Sequence, residues 1–567
     1  MREILCSGQA RSLEFPYPGG MAALCWSPAG ERGELTVSLH YDGAYGMGEK
    51  YNAVNQKGHT AVNEVEEKFC FQGEKTYCPA PFFWTNTGFG LYAATDERTS
   101  FRFGEKAVCA ELPVDCRVVL FSGMPGEIIR DYMDLFGPAK LPPKWAFGPW
   151  ISANHWDSQE KVERAVAQAE EHGFPVCALV AEAWSDEATF YVFRGARYVP
   201  KPNGGAFRLE DFDFSDSPWP DPAGMVQRLH EKGIRFLLWQ IPVYKKQGPD
   251  EPLNAQNELD QADAVARGLC VHNADGSPYT IPEGYWFAGS MIPDFTNPAA
   301  EETWFSKRNY LTEMGIDGFK TDGGEFIYRE DVRFADGSSG RAGKNRYAQE
   351  YTAAYTKHLG SAQALFSRAG YAGQHTTPIH WAGDQQSQNS ELASALRAGV
   401  SAALTGIPFW GFDIGGFAGP LPTLDLYRRA TQMACFVPVM QWHSEPDGGQ
   451  FRELMPGGEG NNERSPWNLA AAYGKPEFVD EMRFWHNLRM ELLPYLYSVA
   501  LDCAEASKPM MRPLVYQWPE DPLVWDCEDE FLLGDSLLVA PLLEENAEKR
   551  AVYLPEGQWI GLFDRRA

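Results

Sequence analysis

The chain has 567 residues, 44% hydrophobic and 22% charged, so it is too long for a single core and should divide into three or four globular domains. A formal net charge of −27 repels phosphate backbones and anionic lipid, which excludes nucleic acid and membrane partners and suits a neutral substrate. The eleven cysteines are scattered and odd in number, with no C-x-x-C pair and no zinc-site spacing. Cys177 and Cys435 lie in apolar runs and read as buried free thiols. Nothing in the sequence calls for a cofactor. Met1–Trp26 shows no charged-then-apolar leader pattern, and no apolar run reaches the roughly 18 residues of a membrane span. A cytoplasmic, reducing compartment is the expectation.

Residues 1–140 alternate apolar and polar positions in short segments such as Leu35–Leu39 and Val108–Phe121, broken by Gly, Pro, Asn and Asp. That pattern predicts an N-terminal β-sandwich. Leu141-Pro142-Pro143-Lys144 reads as a linker. From Trp145 short apolar runs alternate with helical periodicity, the signal of βα units around a parallel sheet. Candidate strands are 146–152, 176–183, 235–242, 317–322, 364–369, 376–382, 407–414 and 437–443. Candidate helices are 158–173, 222–233, 302–314, 346–360, 390–405, 423–436 and 477–508. Eight such strands predict a closed (β/α)8 TIM barrel over 141–508, an α/β fold. The intervals 184–221 and 243–300 are too long for simple connections and should be insertions or active-site loops.

After residue 509 the β texture returns, with strand-like runs at Leu514–Tyr516, Phe531–Leu533, Ser536–Leu542 and Ala551–Leu554. These are too few to complete a sandwich. Residues 509–567 are therefore expected to begin a C-terminal β-domain that is incomplete, leaving Leu537, Val539 and Val552 on an open edge of a truncated chain.

The string Gly315-Ile316-Asp317-Gly318-Phe319-Lys320-Thr321-Asp322-Gly323-Gly324-Glu325 starts as a buried strand and ends in a Gly-Gly turn. It sets Asp322 at a strand terminus facing a cavity, where barrel enzymes carry catalytic groups. Read alone, Asp322 also fits a turn cap. A second carboxyl follows in Thr376-Thr377-Pro378-Ile379-His380-Trp381-Ala382-Gly383-Asp384-Gln385, where the nearby indole of Trp381 desolvates Asp384 and favours its protonated form. One carboxyl to attack an anomeric carbon and one to protonate the leaving oxygen are what retaining glycoside hydrolysis requires.

The two strings, in this order, resemble the nucleophile and Trp-x-Gly-Asp acid/base motifs of glycoside hydrolase family 31. Phe366-Ser367-Arg368-Ala369-Gly370 lies between them. Tyr45-Gly46-Met47-Gly48-Glu49, Phe409 to Phe417 with its Asp413-Ile414-Gly415-Gly416 core, and Phe531 to Pro541 resemble further segments of the family. Five collinear motifs over most of the chain make the resemblance specific. It implies a retaining α-glycosidase with Asp322 as nucleophile and Asp384 as acid/base. Arg368 would bond the sugar and steady Asp322, Asp413 would bind hydroxyls, and Trp239, Trp381 and His443 would line the glycosyl subsite. Without the resemblance, Arg368 fits a structural ion pair, Asp413 a turn cap, and the other three plain core.

Where the family's α-glucosidases carry Asp-x-Asp-Tyr, this chain has Val180-Ala181-Glu182-Ala183-Trp184, so Glu182 stands in. Lys320 and Trp410 are further substrate-binding candidates, and Trp184 with Trp410 would crowd the sugar's C5 substituent and favour a compact glucoside or xyloside. The Lys320-Thr321-Asp322 string resembles the α-xylosidase, α-galactosidase and sulfoquinovosidase branches, and only Arg194 and Arg197 offer a cation for a sulfonate near strand two. The expected partner is a small carbohydrate. An α-transglycosylase or lyase would use the same two carboxyls. A catalytically silent carbohydrate-binding protein and a metal-dependent barrel hydrolase built on His375, His380, Asp384 and Asp322 are the rival classes. Oligomeric state is left open, a homo-oligomer included.

Overall fold

A computed structural model describes residues 1–202, 204–444 and 462–566. The N-terminal alternation becomes two antiparallel sheets. Strand Arg32–Ser38 buries Gly33, Leu35 and Val37 and turns Glu34 and Ser38 outward, the period-two pattern of a sheet with one wet face. It belongs to a six-stranded sheet in the order Arg11–Tyr17, Gly20–Ala29, Arg32–Ser38, Ala107–Pro113, Thr99–Phe103, Thr60–Asn63. The facing five-stranded sheet runs Arg2–Cys6, Cys116–Ser122, Phe89–Ala94, Pro79–Thr85, Ala44–Gly48. Phe15, Trp26, Leu35, Phe83, Phe101 and Leu120 fill the space between them.

The barrel closes through eight parallel strands: Pro149–Ala153, Ala178–Ala181, Arg235–Gln240, Gly318–Thr321, Ala364–Ser367, Ile379–Trp381, Trp410–Asp413 and Val439–Ser444. They are numbered one to eight below, and strand eight pairs back onto strand one from Pro149↔Met440 to Ala153↔Ser444. The expected strands and helices overlap the observed ones, with the helix expected at 346–360 running Gly340–His358. The helix expected at 302–314 is two pieces, Pro298–Ser306 and Asn309–Glu313. Between them lies the fully buried Arg308, which donates to Gln240 Oε1 at 2.6 Å and packs on Trp304.

Both long intervals are loops that build a wall above the barrel. Interval 184–221 holds only the 3-10 turn Leu209–Asp211 among named elements, and 243–300 holds helix Ala255–Arg267. Asp186 ties them together. It accepts from Ala188 N, from the amide and hydroxyl of Thr189, and from Asn254 Nδ2 across the gap at 2.9 Å. The sandwich is fastened to the barrel by Trp410 Nε1 on Glu49 Oε1 (2.8 Å), Trp84 Nε1 on the Leu404 carbonyl (3.0 Å) and the Tyr51 hydroxyl on the Ala382 carbonyl (2.8 Å).

The C-terminal sheet has three strands, Met511–Pro513, Phe531–Leu533 and Leu537–Val539. Leu514–Tyr516 is not a strand but part of helix Leu514–Gln517. Leu514 and Val515 are adjacent and both buried, which a helical turn after Pro513 allows and a one-faced strand does not. Ala551–Leu554 is irregular: the Tyr553 amide bonds the Glu530 carboxylate, and Arg550 pairs with the same group. Val552 is exposed, whereas Val539 is buried. Among the described residues no helix is long and apolar enough to cross a membrane.

Strand four sits so close to strand five that a Cβ on Gly318 would lie 1.9 Å from the Ala364 carbonyl oxygen. Backbone cannot yield as a flexible side chain does. Gly318→Ala should therefore destabilise by about 4 kcal/mol or more, the exceptional end of single substitutions. Thermal unfolding and soluble yield measure this, and an unchanged melting temperature would count against the close approach.

Candidate active site

Strand four ends at Thr321, and Gly323 and Gly324 follow Asp322 with φ of 70° and 109°, backbone that only glycine adopts freely. The turn leaves Asp322 at the C-terminal mouth of the barrel, its amide bonded to the Gln240 carbonyl at 2.9 Å. Its carboxylate is held from three sides. Oδ2 accepts from Trp239 Nε1 (3.0 Å), and Oδ1 accepts from Gly323 N (2.9 Å) and pairs with Arg368 Nη1 (3.1 Å). Asp384 follows strand six past Gly383 (φ 69°), which packs on the ring of Tyr77 from the N-terminal domain.

Arg368, just beyond strand five, joins the two acids. Its Nη1 lies 3.8 Å from Asp384 Oδ2, while Nη2 and Nε bond both oxygens of Glu325 at 3.1 and 3.3 Å. Asp322 Oδ1 and Asp384 Oδ2 share one nitrogen, so they are no more than about 7 Å apart. Burial pushes the Asp384 carboxyl up to about 8; Arg368 opposes that rise and Asp322 adds to it. Burial also raises Glu325, again against Arg368.

A second polar layer lies beneath the cleft surface. Lys320 Nζ pairs with Glu182 Oε1 at 2.6 Å and sits 4.6 Å from the Trp381 ring centre. Burial works against the Lys320 ammonium, but Glu182, Asp413 and Asp322 outweigh it and hold it charged. His443 Nδ1 faces Ser152 Oγ at 2.8 Å and Glu182 at 3.7 Å; burial and the Lys320 charge lower it to about 3, so its ring is neutral. Asp413 Oδ1 accepts from Gln441 Nε2 at 2.7 Å. Trp381 Nε1, Asp413 Oδ2 and His443 Nε2 are buried without a hydrogen-bond partner among the described residues. Unpaired buried polar atoms cost stability, and three of them fall in this layer.

The cleft has a volume of about 830 Å³ and is lined by Glu182, Trp239, Lys320, Asp322, Arg368 and Asp384, all named from the sequence, while Trp381, Asp413 and His443 lie behind its lining. Other lining residues had no role in that reading. Glu67 and Phe69 come from the N-terminal domain, and Phe190, Tyr285, Trp286 and Phe287 from the two inserted loops. Phe190 and Phe287 both have φ of 59° and pack edge-to-face at 5.7 Å, a strained pair that fixes the aromatic wall. The one available signal was the length of the intervals that carry them. Glu325, quoted within the nucleophile string, is the buried partner of Arg368.

Trp410 does not reach the cleft. Strand alternation turns it outward against Gly399 of helix Asn389–Ala403 and onto Glu49, while Asp413 turns inward. Trp184 is fully buried behind the wall, donating to the Trp239 carbonyl at 3.0 Å. Neither crowds a sugar. Arg194 lines the cleft with its guanidinium on Glu187 (2.6 Å), and Arg197 pairs with Asp213 and Asp216. His375 and His380 face the backbone carbonyls of Gly137 and Gln374, not Asp322 or Asp384. Among the described residues, one group, Cys527, Asp529 and Glu530, has metal-ligand spacing, and it lies in the C-terminal region.

A closed barrel with carboxyls clustered at its C-terminal mouth is an architecture that retaining and inverting glycoside hydrolases share with other barrel enzymes. Residues 139–499 match the model of the glycosyl hydrolases family 31 TIM-barrel domain, and 507–567 that of the family 31 C-terminal domain. The chain belongs to glycoside hydrolase family 31. It is 36% identical over 534 residues to an isomaltosyltransferase of Sporosarcina globispora, covering 92% of this chain and 48% of that protein. It is also 36% identical over 560 residues to a 1,3-alpha-isomaltosidase of Kribbella flavida, covering 96% and 76% respectively. A cycloalternan-forming enzyme from Listeria monocytogenes, solved in complex with a pentasaccharide substrate, superposes with a TM-score of 0.90 at 36% identity. That match covers 96% of this chain and 53% of the other. The chain thus spans about half the length of two of these relatives.

The raised Asp384 carboxyl gives a stability signature. An unfolded aspartate ionises near pH 4, while the folded one keeps its proton to about 8. Across that window the unfolded state binds fewer protons, so wild-type stability falls as pH rises. Asp384→Asn removes this loss. Its melting temperature relative to wild type should climb from pH 5 to pH 8 in thermal scans; a constant or shrinking difference would contradict the assigned protonation.

Proposed function

We propose that the protein cleaves α-glucosidic bonds with retention, by double displacement, at the non-reducing end of small α-glucans. The observation that carries this reading is the single Arg368 nitrogen shared by Asp322 and Asp384. It limits the gap between their facing oxygens to the lower part of the range in which two-carboxylate glycosidases work, about 5–5.5 Å for retention and 6.5–9.5 Å for inversion. Asp322, oriented by Trp239, Gly323 and Arg368, attacks the anomeric carbon. As the C1–O bond breaks, the Asp384 proton passes to the leaving oxygen. Asp384, now ionised, takes a proton from water or from an acceptor hydroxyl, which displaces Asp322 and restores both groups.

In this reading Trp381 Nε1, Asp413 Oδ2 and His443 Nε2, with Lys320 and Glu182, bind the sugar hydroxyls. The part of the expected compact sugar that rested on crowding by Trp184 and Trp410 fails, since both are buried and neither lines the cleft. A cleft of about 830 Å³ lies high in the range of small-ligand sites, which supports a donor of more than one ring. The relatives named for isomaltosyl transfer and isomaltosidase activity support α-1,6-linked glucosyl pairs as that donor. They also support transfer to a sugar acceptor beside hydrolysis.

An NMR time course on an aryl α-isomaltoside should show the α-anomer first; β-product first would overturn retention. Asp322→Ala should abolish turnover on every substrate. Asp384→Ala should spare glycosylation of substrates with good leaving groups, and azide should restore the second step. Undiminished cleavage of unactivated oligosaccharides by Asp384→Ala would place the acid elsewhere.

A further inference from the structure

A second groove lies beside the cleft, between helix Gln159–Glu171 and helix Pro466–Ala472. At about 730 Å³ it is nearly as large as the cleft. The two adjoin at His155 and Lys161, which line both. Trp156, Trp442 and Trp467 form its apolar side, with the His172 ring stacked on Trp467 at 5.2 Å. Gln168 and Arg164 stand exposed on its rim, and Ala471 faces them from the other helix.

We infer that this groove binds further glucosyl units of the oligosaccharide whose reacting ring occupies the cleft, an inference that rests on the α-glucosidic reading of that cleft. Three observations identify the occupant. The groove and the cleft share His155 and Lys161 as lining residues, so a chain that leaves the cleft past these two reaches the groove next. The junction carries unfilled polar capacity: Asn154 Nδ2, which belongs to the cleft side, and His155 Nδ1 are buried with no hydrogen-bond partner among the described residues. Finally, the cations are already neutralised. Lys161 pairs with Asp157 at 2.8 Å, Arg164 with Glu160 at 2.5 Å, and His155 with Glu463 at 3.1 Å. A phosphorylated or acidic ligand would find no free positive charge in these pairs. A neutral polyhydroxyl chain, with apolar ring faces for the indoles and hydroxyls for the amides, matches the surface.

The test is a length series of α-glucosyl oligosaccharides from two to seven rings, extended separately at the reducing and non-reducing ends, beside an aryl α-isomaltoside. Wild-type kcat/KM should rise with length in one of the two series, which names the end that enters the groove. Ala471→Trp, placing an indole into the groove from an exposed helical position, and Gln168→Ala, removing a rim amide, should flatten that rise. The expected loss on the longest substrate is about tenfold for Ala471→Trp, a change worth about 1.4 kcal/mol. kcat/KM on the aryl substrate should stay within about twofold, as expected of a site outside the chemistry. Equal loss on short and long substrates would refute the proposal, as would a wild type active on short substrates but indifferent to length in both series. Inactivity on every α-glucoside would instead refute the reading of the cleft, and the groove with it.

Discussion

The arrangement of acids at the mouth of this barrel depends on one buried guanidinium. Arg368 is 2% exposed and is ringed by Asp322, Glu325 and Asp384. Three carboxyls around one cation cannot all ionise without leaving negative charge uncompensated in a dry site. The proton needed to reduce that excess stays on the acid with the weakest hold on the cation. Glu325 binds two guanidinium nitrogens and Asp322 approaches one at 3.1 Å, whereas Asp384 stands at 3.8 Å. The geometry thus sorts the acids by their hold on the cation, and burial leaves Asp384 as the one that keeps its proton. A planar fork can do this because its nitrogens point to separate partners; a lysine ammonium would offer a single point charge.

Arg368 is itself positioned by parts distant in sequence. Tyr77 of the N-terminal domain lies 4.6 Å from the guanidinium carbon and Trp286 of an inserted loop 5.5 Å, so the cation is held between two aromatic faces. Tyr77 also fills the space where Gly383 lacks a side chain, which sets the turn leading to Asp384. The sandwich is therefore a wall of the site as well as a support for the barrel. This gives a functional reason for the fastening of Glu49 to Trp410 and of Tyr51 to the Ala382 carbonyl, two residues before Asp384.

The barrel was legible in the sequence because its strands are buried on both faces. Continuous apolar runs such as Phe236–Leu238 and Ala364–Phe366, spaced by amphipathic helices, leave few alternatives. Asp322, Asp384 and Arg368 were legible because each lies within a few residues of a strand end, and strand ends are where such runs stop. Side-chain direction was harder to read. Trp410 and Asp413 share a four-residue strand and an odd spacing, so one had to face the helices and the other the barrel. The motif names both without saying which. Of the cleft walls only the intervals that carry them were legible, by their length; Phe190, Tyr285 and Phe287 were not, since they sit in loops ordered by long-range ties such as Asp186 to Asn254. The C-terminal misassignments share a cause: apolar runs of three or four residues are compatible with strand, helical turn or irregular chain until packing decides.

The same separation bears on specificity. The reacting layer is made by strand ends, whose spacing is fixed by the hydrogen-bond ladder of the barrel. In contrast, the wall is made by inserted loops tied to the barrel by side-chain hydrogen bonds such as Trp184 to the Trp239 carbonyl and Gln240 to the Phe190 carbonyl. Changing the wall reshapes what fits beyond the reacting ring while leaving the Arg368 cluster intact. The Glu182–Lys320 pair sits at the boundary, since both residues belong to barrel strands or their first extension, yet both line the cleft. Glu182 carries one methylene more than an aspartate there, and that length is spent reaching Lys320 at 2.6 Å. The longer acid is therefore engaged with a strand-four cation instead of standing free toward the sugar. Under the proposed function, recognition of the reacting ring would pass to a charge pair seated in the barrel itself, and the loops would set the number and linkage of the rings beyond it.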